Sequence, residues 1–263
     1  MDFNSVADKY EKISITQKTA SQQLLDYMDC DKYNNILDIG CASGVNTERL
    51  LNILDEKGVY VGVDPSQKMI DQAISKKIPN SKFICSSFEK ASITDTYDLI
   101  FCNSVFYYIS DTTIFFKKCK DLLSKNGIIS IQAQTRMCSI FEDALEFAKN
   151  HKKTKEVMKS FNFPANLYSE HEYLEMLDKQ PYFKVNKYKC CVDYHNVSIK
   201  KAIDIFESGP AIPCLSELAY SIPIKQSFKK DLLDVIKKYI KEKAQNGMVS
   251  LNSPRIYIIL SKI

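Results

Sequence analysis

One short stretch of the chain combines small residues and an acidic residue in a spacing that suits ligand binding. Asp38, Gly40, Ala42 and Gly44 alternate along this stretch. Because glycine has no Cβ, backbone amides at such positions can approach a ligand closely. An apolar run precedes Asp38 and helix-compatible residues follow from Val45, which predicts a buried strand, a tight loop and a helix start. A loop of this kind directs backbone N–H groups toward a bound ligand.

Two classes of ligand use a glycine loop between a strand and a helix. A dinucleotide site has the pattern G-x-G-x-x-G and holds a pyrophosphate at the helix N-terminus. Here the carboxylate of Asp38 directly precedes the loop, where it would repel a pyrophosphate and attract a cation. S-adenosylmethionine carries an ammonium and a sulfonium and has no phosphate, so we favour it as the ligand. An ordinary strand-to-helix turn without a ligand is the alternative.

A second acidic residue ends the next apolar run, which covers 59–64. A carboxylate at the tip of a second strand can accept two hydrogen bonds from ribose hydroxyls, and we expect this role for Asp64. The alternative is that Asp64 caps the helix that Pro65 and Ser66 open. Ribose binding does not by itself separate a dinucleotide from S-adenosylmethionine.

These residues depend on an alternation of strands and helices. Apolar runs typical of buried strands lie at 35–39, 59–64, 82–85, 97–103 and 128–133. Helical patterns between them cover 45–56, the residues behind Asp64, and 111–123. The alternation predicts a parallel, doubly wound α/β sheet. Ligands bind at the carboxyl ends of such strands, so Ser104–Ile109 is a second candidate region.

Beyond the fifth strand the pattern changes. Helices are predicted at 139–150, 169–179, 198–207 and 225–245, and strands at 182–194 and 254–260, the last strand pairing antiparallel with 182–194. We predict three parts of the chain: a helical arm over 1–30, a cofactor-binding core over 31–135 and 182–263 with lid helices around 196–224, and a helical lid insertion over 136–181.

Composition limits the class of protein. The 263 residues suit one large domain or a domain with an inserted lid, and the net charge of +4 is too small to indicate nucleic acid. Nine scattered cysteines without a C-x-x-C pair predict reduced thiols in a cytoplasmic protein. The three histidines show no metal spacing. We find no signal peptide and no membrane-spanning run, so we expect no membrane partner.

Taken together, these positions resemble the class I S-adenosylmethionine-dependent methyltransferases. Within that class they are similar to the carboxyl methyltransferases of trans-aconitate, malonyl-acyl-carrier protein and juvenile-hormone acid. The resemblance covers nearly the whole chain, through Tyr10…Gln17, Asp38–Gly44, Val63–Asp64, the Ser87 region, Asp98…Tyr108 and the C-terminal helix and strand. It implies an α/β, Rossmann-like, seven-stranded and mostly parallel sheet with an antiparallel last strand and a helical lid.

The resemblance also implies S-adenosyl-L-methionine as the cofactor and a set of residues that bind it. These residues are Tyr10, Asp38, Gly40, Cys41, Ala42, Gly44, Asp64, Pro65, Met69, Ser87, Phe88 and Asn103. Two positions depart from the family pattern: Ala42 replaces a commoner glycine, and Ser87 stands where an Asp often contacts the adenine amine. The sequence leaves open whether Phe88 packs on the adenine or fills the core.

The acceptor is expected to be a small-molecule carboxylate, either free or bound to a carrier protein. A carboxylate has a pKa near ~4, so it is an anionic nucleophile at neutral pH without a general base. Residues 103–109 contain no Asp, Glu or His that could act as one. The resemblance implies that Gln17 and Tyr108 orient the acceptor, although relatives often have a tryptophan in place of Tyr108. The alternatives are methylation of a hydroxyl or amine of a secondary metabolite, and binding of S-adenosylmethionine without turnover.

The three arginines of the chain can be compared individually. Arg49 and Arg255 are expected to be a surface residue and a structural residue. Arg136 follows the fifth strand, and a guanidinium offers a rigid fork that matches a carboxylate. We therefore predict that Arg136 holds an anionic group of the substrate. The alternative is an ion pair with a nearby acid such as Glu142.

Overall fold

The computed structural model describes residues 3–28 and 32–263, and seven strands within them form one sheet. Residues 29–31, where the predicted arm ends and the predicted core begins, lie outside the described residues. The strands are β1 (Tyr33–Ile39), β2 (Leu54–Asp64), β3 (Ser81–Cys85), β4 (Tyr97–Asn103), β5 (Leu123–Gln134), β6 (Phe183–Ser198) and β7 (Met248–Lys262). Their order across the sheet is β3-β2-β1-β4-β5-β7-β6.

Helices connect and follow these strands. They are α1 (Ala7–Ile13), α2 (Ile15–Tyr27), α3 (Thr47–Leu51), α4 (Gln67–Ser75), α5 (Thr112–Leu122), α6 (Ser139–Asn150), α7 (Lys155–Met158), α8 (Glu170–Lys179), α9 (Ile199–Ser208), α10 (Ala211–Cys214) and α11 (Gln226–Lys243). Short 3-10 helices lie at Phe3–Val6, Phe106–Tyr108 and Glu217–Ala219.

The pairing of the strands confirms the predicted sheet. β1 pairs parallel with β2 and with β4, β2 pairs parallel with β3, and β4 pairs parallel with β5. β7 then pairs antiparallel with β5. The carboxyl ends of β1 to β5 therefore lie along one edge of the sheet, and β1 and β4 at its centre carry fully buried apolar side chains.

Three strands begin at least five residues earlier than the sequence predicts, and one of them is β7, which starts at Met248 and not at 254. The helix expected over 45–56 is only the five-residue α3, because the chain is already extended from Leu54. The register shifts between the pairs Tyr33–Leu54 and Asn35–Val59, and Lys57 and Gly58 therefore lie inside β2. A Cβ on Gly58 would lie 2.5 Å from the carbonyl oxygen of Asn34, which explains a glycine there. β5 likewise starts at Leu123 and not at 128.

The chain forms two compact units whose bounds differ from the predicted parts. Unit 1 contains 1–14, 136–167 and 191–254, and unit 2 contains 15–135, 168–190 and 255–263. Residues 15–27 thus belong to the sheet unit because α2 packs against β4 and β5. α8 also belongs there, since the ring of Tyr173 packs on Phe106 and its hydroxyl donates to the carbonyl of Gln134.

Unit 1 is mainly helical. Phe141 of α6, Phe206 of α9, and Leu232 and Ile236 of α11 are buried in one apolar cluster, and the rings of Phe141 and Phe206 lie 5.3 Å apart. The grouping of α11 with α6 and α9 explains why 226–243 belongs with these helices and not with the sheet. A lid function for unit 1 stays a prediction.

Membrane-spanning helices and metal clusters are both absent from the described residues. Within 3–28 and 32–263, no helix combines the length and the apolar character needed to cross a bilayer. The same residues hold no group of three or more His, Cys, Asp or Glu side chains arranged for a metal ion. The eight cysteines described there are all free thiols.

Candidate active site

The loop after β1 is built from positive backbone angles. Gly40, Ala42 and Gly44 have φ values of +75°, +48° and +73°, which is the left-handed region that favours glycine. A Cβ on Gly40 would lie 2.1 Å from Cγ2 of Val105, in the turn that follows β4. Glycine at position 40 is therefore favoured both by the backbone conformation and by the close approach of that turn.

Backbone hydrogen bonds tie this loop to the end of β2. The amides of Gly40 and Cys41 donate to the carbonyl of Val63 at 2.7 and 3.2 Å, and the amide of Ala42 donates to Oδ2 of Asp64 at 3.1 Å. The Cys41 side chain is buried beside Gly62, and its thiol donates to the carbonyl of Ala42 at 3.6 Å. The predicted helix start near Val45 is shifted to Thr47, where α3 begins.

The cap of α4 is Ser66 and not Asp64, and ribose binding by Asp64 stays a prediction. The buried carboxylate of Asp64 accepts from the amides of Ala42 and, at 2.9 Å, Ser66. Ser66 in turn caps α4 by accepting from the amide of Met69, which is buried, while Pro65 is exposed. A carboxylate offers about four lone-pair positions. Two positions therefore remain for ribose hydroxyls. Burial raises the pKa of Asp64, and the two amide hydrogen bonds counteract this shift.

Asp38 lies inside the fold and not at its surface. Its Oδ2 accepts from the hydroxyl of Tyr60 at 2.7 Å. Burial raises the pKa of Asp38 to about 7; the Tyr60 hydrogen bond lowers it, and the charge of Asp64 raises it further. A cation placed beside this carboxylate would favour its ionised form. The expected attraction for a cation thus has a structural basis in a desolvated carboxylate.

This raised pKa predicts how the stability of the ligand-free protein depends on pH. The folded-state pKa lies above the ordinary value of 3.8, so the folded protein binds more protons than the unfolded chain between about pH 4 and 7. Stability therefore falls as pH rises through this window. As pH rises from 5 to 7, we expect the free energy of unfolding of Asp38→Asn to increase by on the order of 1–2 kcal/mol relative to that of the wild type. Chemical denaturation at several pH values measures the difference, and a difference that does not change with pH would contradict it.

Asn103, at the carboxyl end of β4, has an acceptor that suits a cationic ligand. The side chain is buried, and its Nδ2 donates to the backbone carbonyl of Gln17 at 3.2 Å. Its buried Oδ1 accepts no hydrogen bond from any described residue. A buried acceptor without a donor is costly unless a ligand supplies one. The N–H groups of an ammonium fit this atom, as they fit Asp38, so the residues present suit S-adenosylmethionine.

The turn after β3 is held by a lysine. Nζ of Lys118 donates to the carbonyls of Phe88 and Ala91 at 2.6 and 2.5 Å and lies 5.0 Å from the centre of the Phe88 ring. Phe88 is buried and packs edge-on against Phe115, with ring centres 5.4 Å apart. Of the two roles left open for Phe88, the structure therefore favours core packing. Ser87 is half-buried in the turn that Lys118 fixes.

The turn after β4, which is part of the candidate region Ser104–Ile109, is held by Gln132 of β5, a residue that was not among the predicted site residues. Ser104 has a φ of +59°, its amide donates to the carbonyl of Gln132, and its hydroxyl donates to Oε1 of Gln132 at 2.7 Å. Nε2 of Gln132 is buried and donates to no described residue. Gln132 in the run 128–133, which apart from it and Ser130 is apolar, was the available signal. Tyr108, the predicted acceptor ligand, is half-buried with its ring 4.6 Å from that of Tyr107.

The start of α2 is fixed to the same edge of the sheet. Nη2 of the buried Arg255 donates to the carbonyl of Thr16 at 2.9 Å, next to the Gln17 carbonyl that Asn103 binds. Burial raises the pKa of Tyr107 to about 12, and the charge of Arg255 acts in the opposite direction. The structure therefore brings Gln17 together with Asn103.

Tyr10 lies in α1 and belongs to unit 1, whereas the other predicted cofactor ligands belong to unit 2.

Arg136 forms the ion pair that the sequence offered as the alternative. Its Nη2 lies 2.6 Å from Oε2 of Glu142, and its side chain is 72% exposed. Such an exposed pair contributes little to stability. The pair favours a local role for Arg136, and its predicted role in holding the substrate remains a hypothesis that kinetics can decide.

If Arg136 anchors a second carboxylate of the substrate, Arg136→Ala lowers kcat/KM on a dicarboxylic acceptor about tenfold, because a charge-assisted hydrogen bond contributes roughly 1.5–3 kcal/mol. The matched control is Glu142→Gln, which releases the guanidinium and should leave kcat/KM unchanged or raise it. Steady-state kinetics on both variants, with Tm and cofactor affinity, measure the effect. Unchanged kinetics with an equal small fall in Tm for both would assign Arg136 to the ion pair alone.

Comparisons with known proteins agree with this geometry. A family described as a methyltransferase domain matches residues 31–181, which is more than half of the chain. The chain belongs to this family. It is an S-adenosylmethionine-dependent methyltransferase, and S-adenosylmethionine is its cofactor, so these predictions are confirmed.

Individual relatives are distant. The chain is 23% identical to a trans-aconitate 2-methyltransferase of Rhizobium etli, over 97% of this chain and 98% of the relative. It is 29% identical to a malonyl-[acyl-carrier protein] O-methyltransferase of Bacillus anthracis, but this match spans 48% of this chain and 49% of the relative. The crystal structure of a methyltransferase from Bacillus halodurans has a TM-score of 0.58 at 12% identity, covering 92% of this chain and 98% of that one. This likeness shows the fold.

Proposed function

We propose that the protein transfers a methyl group to the carboxylate of a small molecule and forms a methyl ester. The observation that carries this proposal is the composition of the acceptor turn, because residues 103–109 contain no Asp, Glu or His. A hydroxyl or an ammonium must lose a proton before it can attack a methyl group, whereas a carboxylate is already ionised at neutral pH. Likeness to methyltransferases of trans-aconitate and of malonyl-carrier protein supports the same acceptor class.

Each residue of the site would bind a different part of the cofactor. Bound S-adenosylmethionine supplies an electrophilic methyl group on a sulfonium. Asp38 and Oδ1 of Asn103 would hold the ammonium of its methionine moiety, and Asp64 would accept from its ribose hydroxyls. Because methyl transfer is an in-line displacement, the main contribution of the protein is alignment and the exclusion of water. No proton has to move when the nucleophile is a carboxylate.

Gln17 and Tyr108 are proposed to orient the acceptor as hydrogen-bond donors. Gln17 is half-buried, and its Oε1 accepts from the hydroxyl of Thr16 at 2.9 Å, which leaves its Nε2 to act as the donor. The Tyr108 hydroxyl could replace the tryptophan N–H of relatives. A cofactor-binding role for Tyr10 stays a prediction. The carboxylate could be free or bound to a carrier protein.

A methyl-transfer assay tests this function. Mono-, di- and tricarboxylic acids, free and carrier-bound, are incubated with labelled S-adenosylmethionine, and the product is treated with mild alkali. We expect a product that releases its label as methanol, because an ester hydrolyses and a methyl ether or methylamine does not. Tyr108→Phe should raise KM for the acceptor and leave the affinity for S-adenosylhomocysteine unchanged.

Two results would overturn the proposal in different ways. An alkali-stable product formed only from a hydroxyl or amine acceptor would show that the protein methylates hydroxyls or amines and not carboxylates. No transfer to any acceptor class, with tight binding of S-adenosylhomocysteine, would indicate a protein that binds the cofactor without turnover.

A further inference from the structure

Two hydroxyl groups form a buried chain that ends on Asp38. Oγ1 of Thr47 donates to the hydroxyl of Tyr60 at 3.1 Å, and that hydroxyl donates to Oδ2 of Asp38 at 2.7 Å. The side chains come from α3, β2 and β1, and Thr47, Tyr60 and Asp38 are 0%, 0% and 1% exposed. Within the described part of the chain, the hydroxyl of Tyr60 thus connects the first residue of α3 to the acid that precedes the glycine loop.

The chain of hydroxyls has a direction. A tyrosine hydroxyl carries one proton, and because the proton of Thr47 occupies a lone pair of Tyr60, the proton of Tyr60 is directed at Asp38. A hydrogen bond donated to a carboxylate favours its ionised form. It also fixes the orientation of the carboxylate, because one oxygen is bound to Tyr60. The other oxygen then has a defined direction for a ligand.

The other titratable groups around Asp38 do not replace this contribution. Asp64 repels a second negative charge, and the thiols of Cys41 and Cys102 also interact with Asp38. Burial raises the pKa of both thiols, so they are uncharged at neutral pH. Among these groups the Tyr60 hydroxyl is the one that lowers the pKa of Asp38.

A buried tyrosine in this sheet does not need a hydrogen-bonded hydroxyl for packing alone. Tyr97, at the start of β4, is equally buried, and its hydroxyl has no hydrogen-bond partner among the described residues. The Tyr60 ring packs against Phe83 with centres 5.8 Å apart, a contact that phenylalanine would also make. The hydroxyl of Tyr60 is therefore the part of the side chain that requires an explanation beyond packing.

We propose that Tyr60, oriented by Thr47, is a positioning residue that holds the Asp38 carboxylate ionised and aimed at the ammonium of the methionine moiety of S-adenosylmethionine. This inference rests on the proposed assignment of Asp38 to cofactor binding. It predicts that the Tyr60 hydroxyl increases the affinity for ligands that carry the ammonium and does not change the affinity for ligands that lack it.

The experiment compares two ligands on three variants. S-adenosylhomocysteine carries the amino-acid group, whereas 5′-methylthioadenosine has the same nucleoside and thioether without it. Tyr60→Phe should raise the Kd of S-adenosylhomocysteine about tenfold at pH 6.5, since a hydrogen bond to a charged group is removed, and leave that of methylthioadenosine unchanged. The loss should shrink toward pH 8.5, where Asp38 ionises without help. Thr47→Val should act in the same direction with a smaller effect, and Tyr97→Phe should change neither Kd.

Calorimetry on the intact protein gives each Kd, and the outcomes separate the hypotheses. An unchanged Kd of S-adenosylhomocysteine in Tyr60→Phe, or equal weakening of both ligands, would overturn the positioning role while the proposed function stands. If the wild type binds neither ligand, the proposed function fails as well. Should Tyr60→Phe not fold, Thr47→Val at pH 6.5 and 8.5 provides the same test, with an unchanged Kd counting against the proposal.

Discussion

Replacing Gly40 by alanine is expected to lower the free energy of unfolding by about 2–5 kcal/mol, the sum of two effects. The φ of +75° is strained for any residue with a Cβ and costs roughly 1–2 kcal/mol. The new Cβ would also lie 2.1 Å from Cγ2 of Val105, a stiff β-branched side chain, and overpacking of this kind costs roughly 1–3 kcal/mol. Chemical denaturation measures the loss.

The chain provides a matched control for this prediction. Gly247 has a φ of +74°, and apart from its two chain neighbours no described residue has an atom within 4 Å of the Cβ that alanine would add there. Gly247→Ala therefore reports the backbone strain alone, and its cost should be smaller than that of Gly40→Ala. Adding Val105→Ala to Gly40→Ala should recover part of the difference. Equal costs at the two glycines would show that the approach of Val105 does not constrain the loop.

Asp64→Ala is expected to weaken cofactor binding by about 1–3 kcal/mol, or roughly 5- to 150-fold in Kd. The variant loses the carboxylate that would accept from the ribose hydroxyls and that also fixes the amides of Ala42 and Ser66. Because both ligands contain the ribose, S-adenosylhomocysteine and methylthioadenosine should be weakened alike, unlike in Tyr60→Phe. Calorimetry measures both values.

Asp71→Ala is the control for this variant, because Asp71 is an exposed acid on the adjacent helix α4 and its carboxylate accepts from Gln67. It should leave both affinities unchanged. Unchanged affinity in a folded Asp64→Ala variant would remove Asp64 from the site. Selective binding of a nicotinamide dinucleotide by the wild type would contradict the assignment of the whole loop.

The fold was predictable from the sequence where burial controls the local pattern. β4 at Tyr97–Asn103 and α6 at Ser139–Asn150 were predicted with the bounds that the structure shows. β4 is apolar on both faces and α6 has one buried face, so each has a clear period. The early parts of β2 and β5 were missed because residues 54–58 and 124–127 are largely polar. They are extended by pairing with β1 and β4, which is long-range information.

Prediction of the candidate site from the sequence was also limited to residues with a recognisable local pattern. Asp38, the small residues of the loop and Asp64 were found because they are close in sequence and have a recognisable spacing. Tyr60 and Gln132 were missed because their neighbours depend on strand register: Tyr60 lies opposite Ile36, two residues from Asp38, and Gln132 lies opposite Asn103. No local pattern around Tyr60 indicates a polar contact across strands, and around Gln132 the only local signal is the glutamine itself.

The strand order also determines which strands are unpaired while the chain is being synthesised. β7 lies between β5 and β6 in the sheet, yet it follows β6 in the chain. On the ribosome, β6 therefore emerges before the strand that will join it to the sheet, and β5 has an open edge until Met248–Lys262 has been made. Unpaired edges can recruit strands from other chains. Nascent chains that stall between residues 198 and 248 would carry both unpaired edges and would depend most on chaperones.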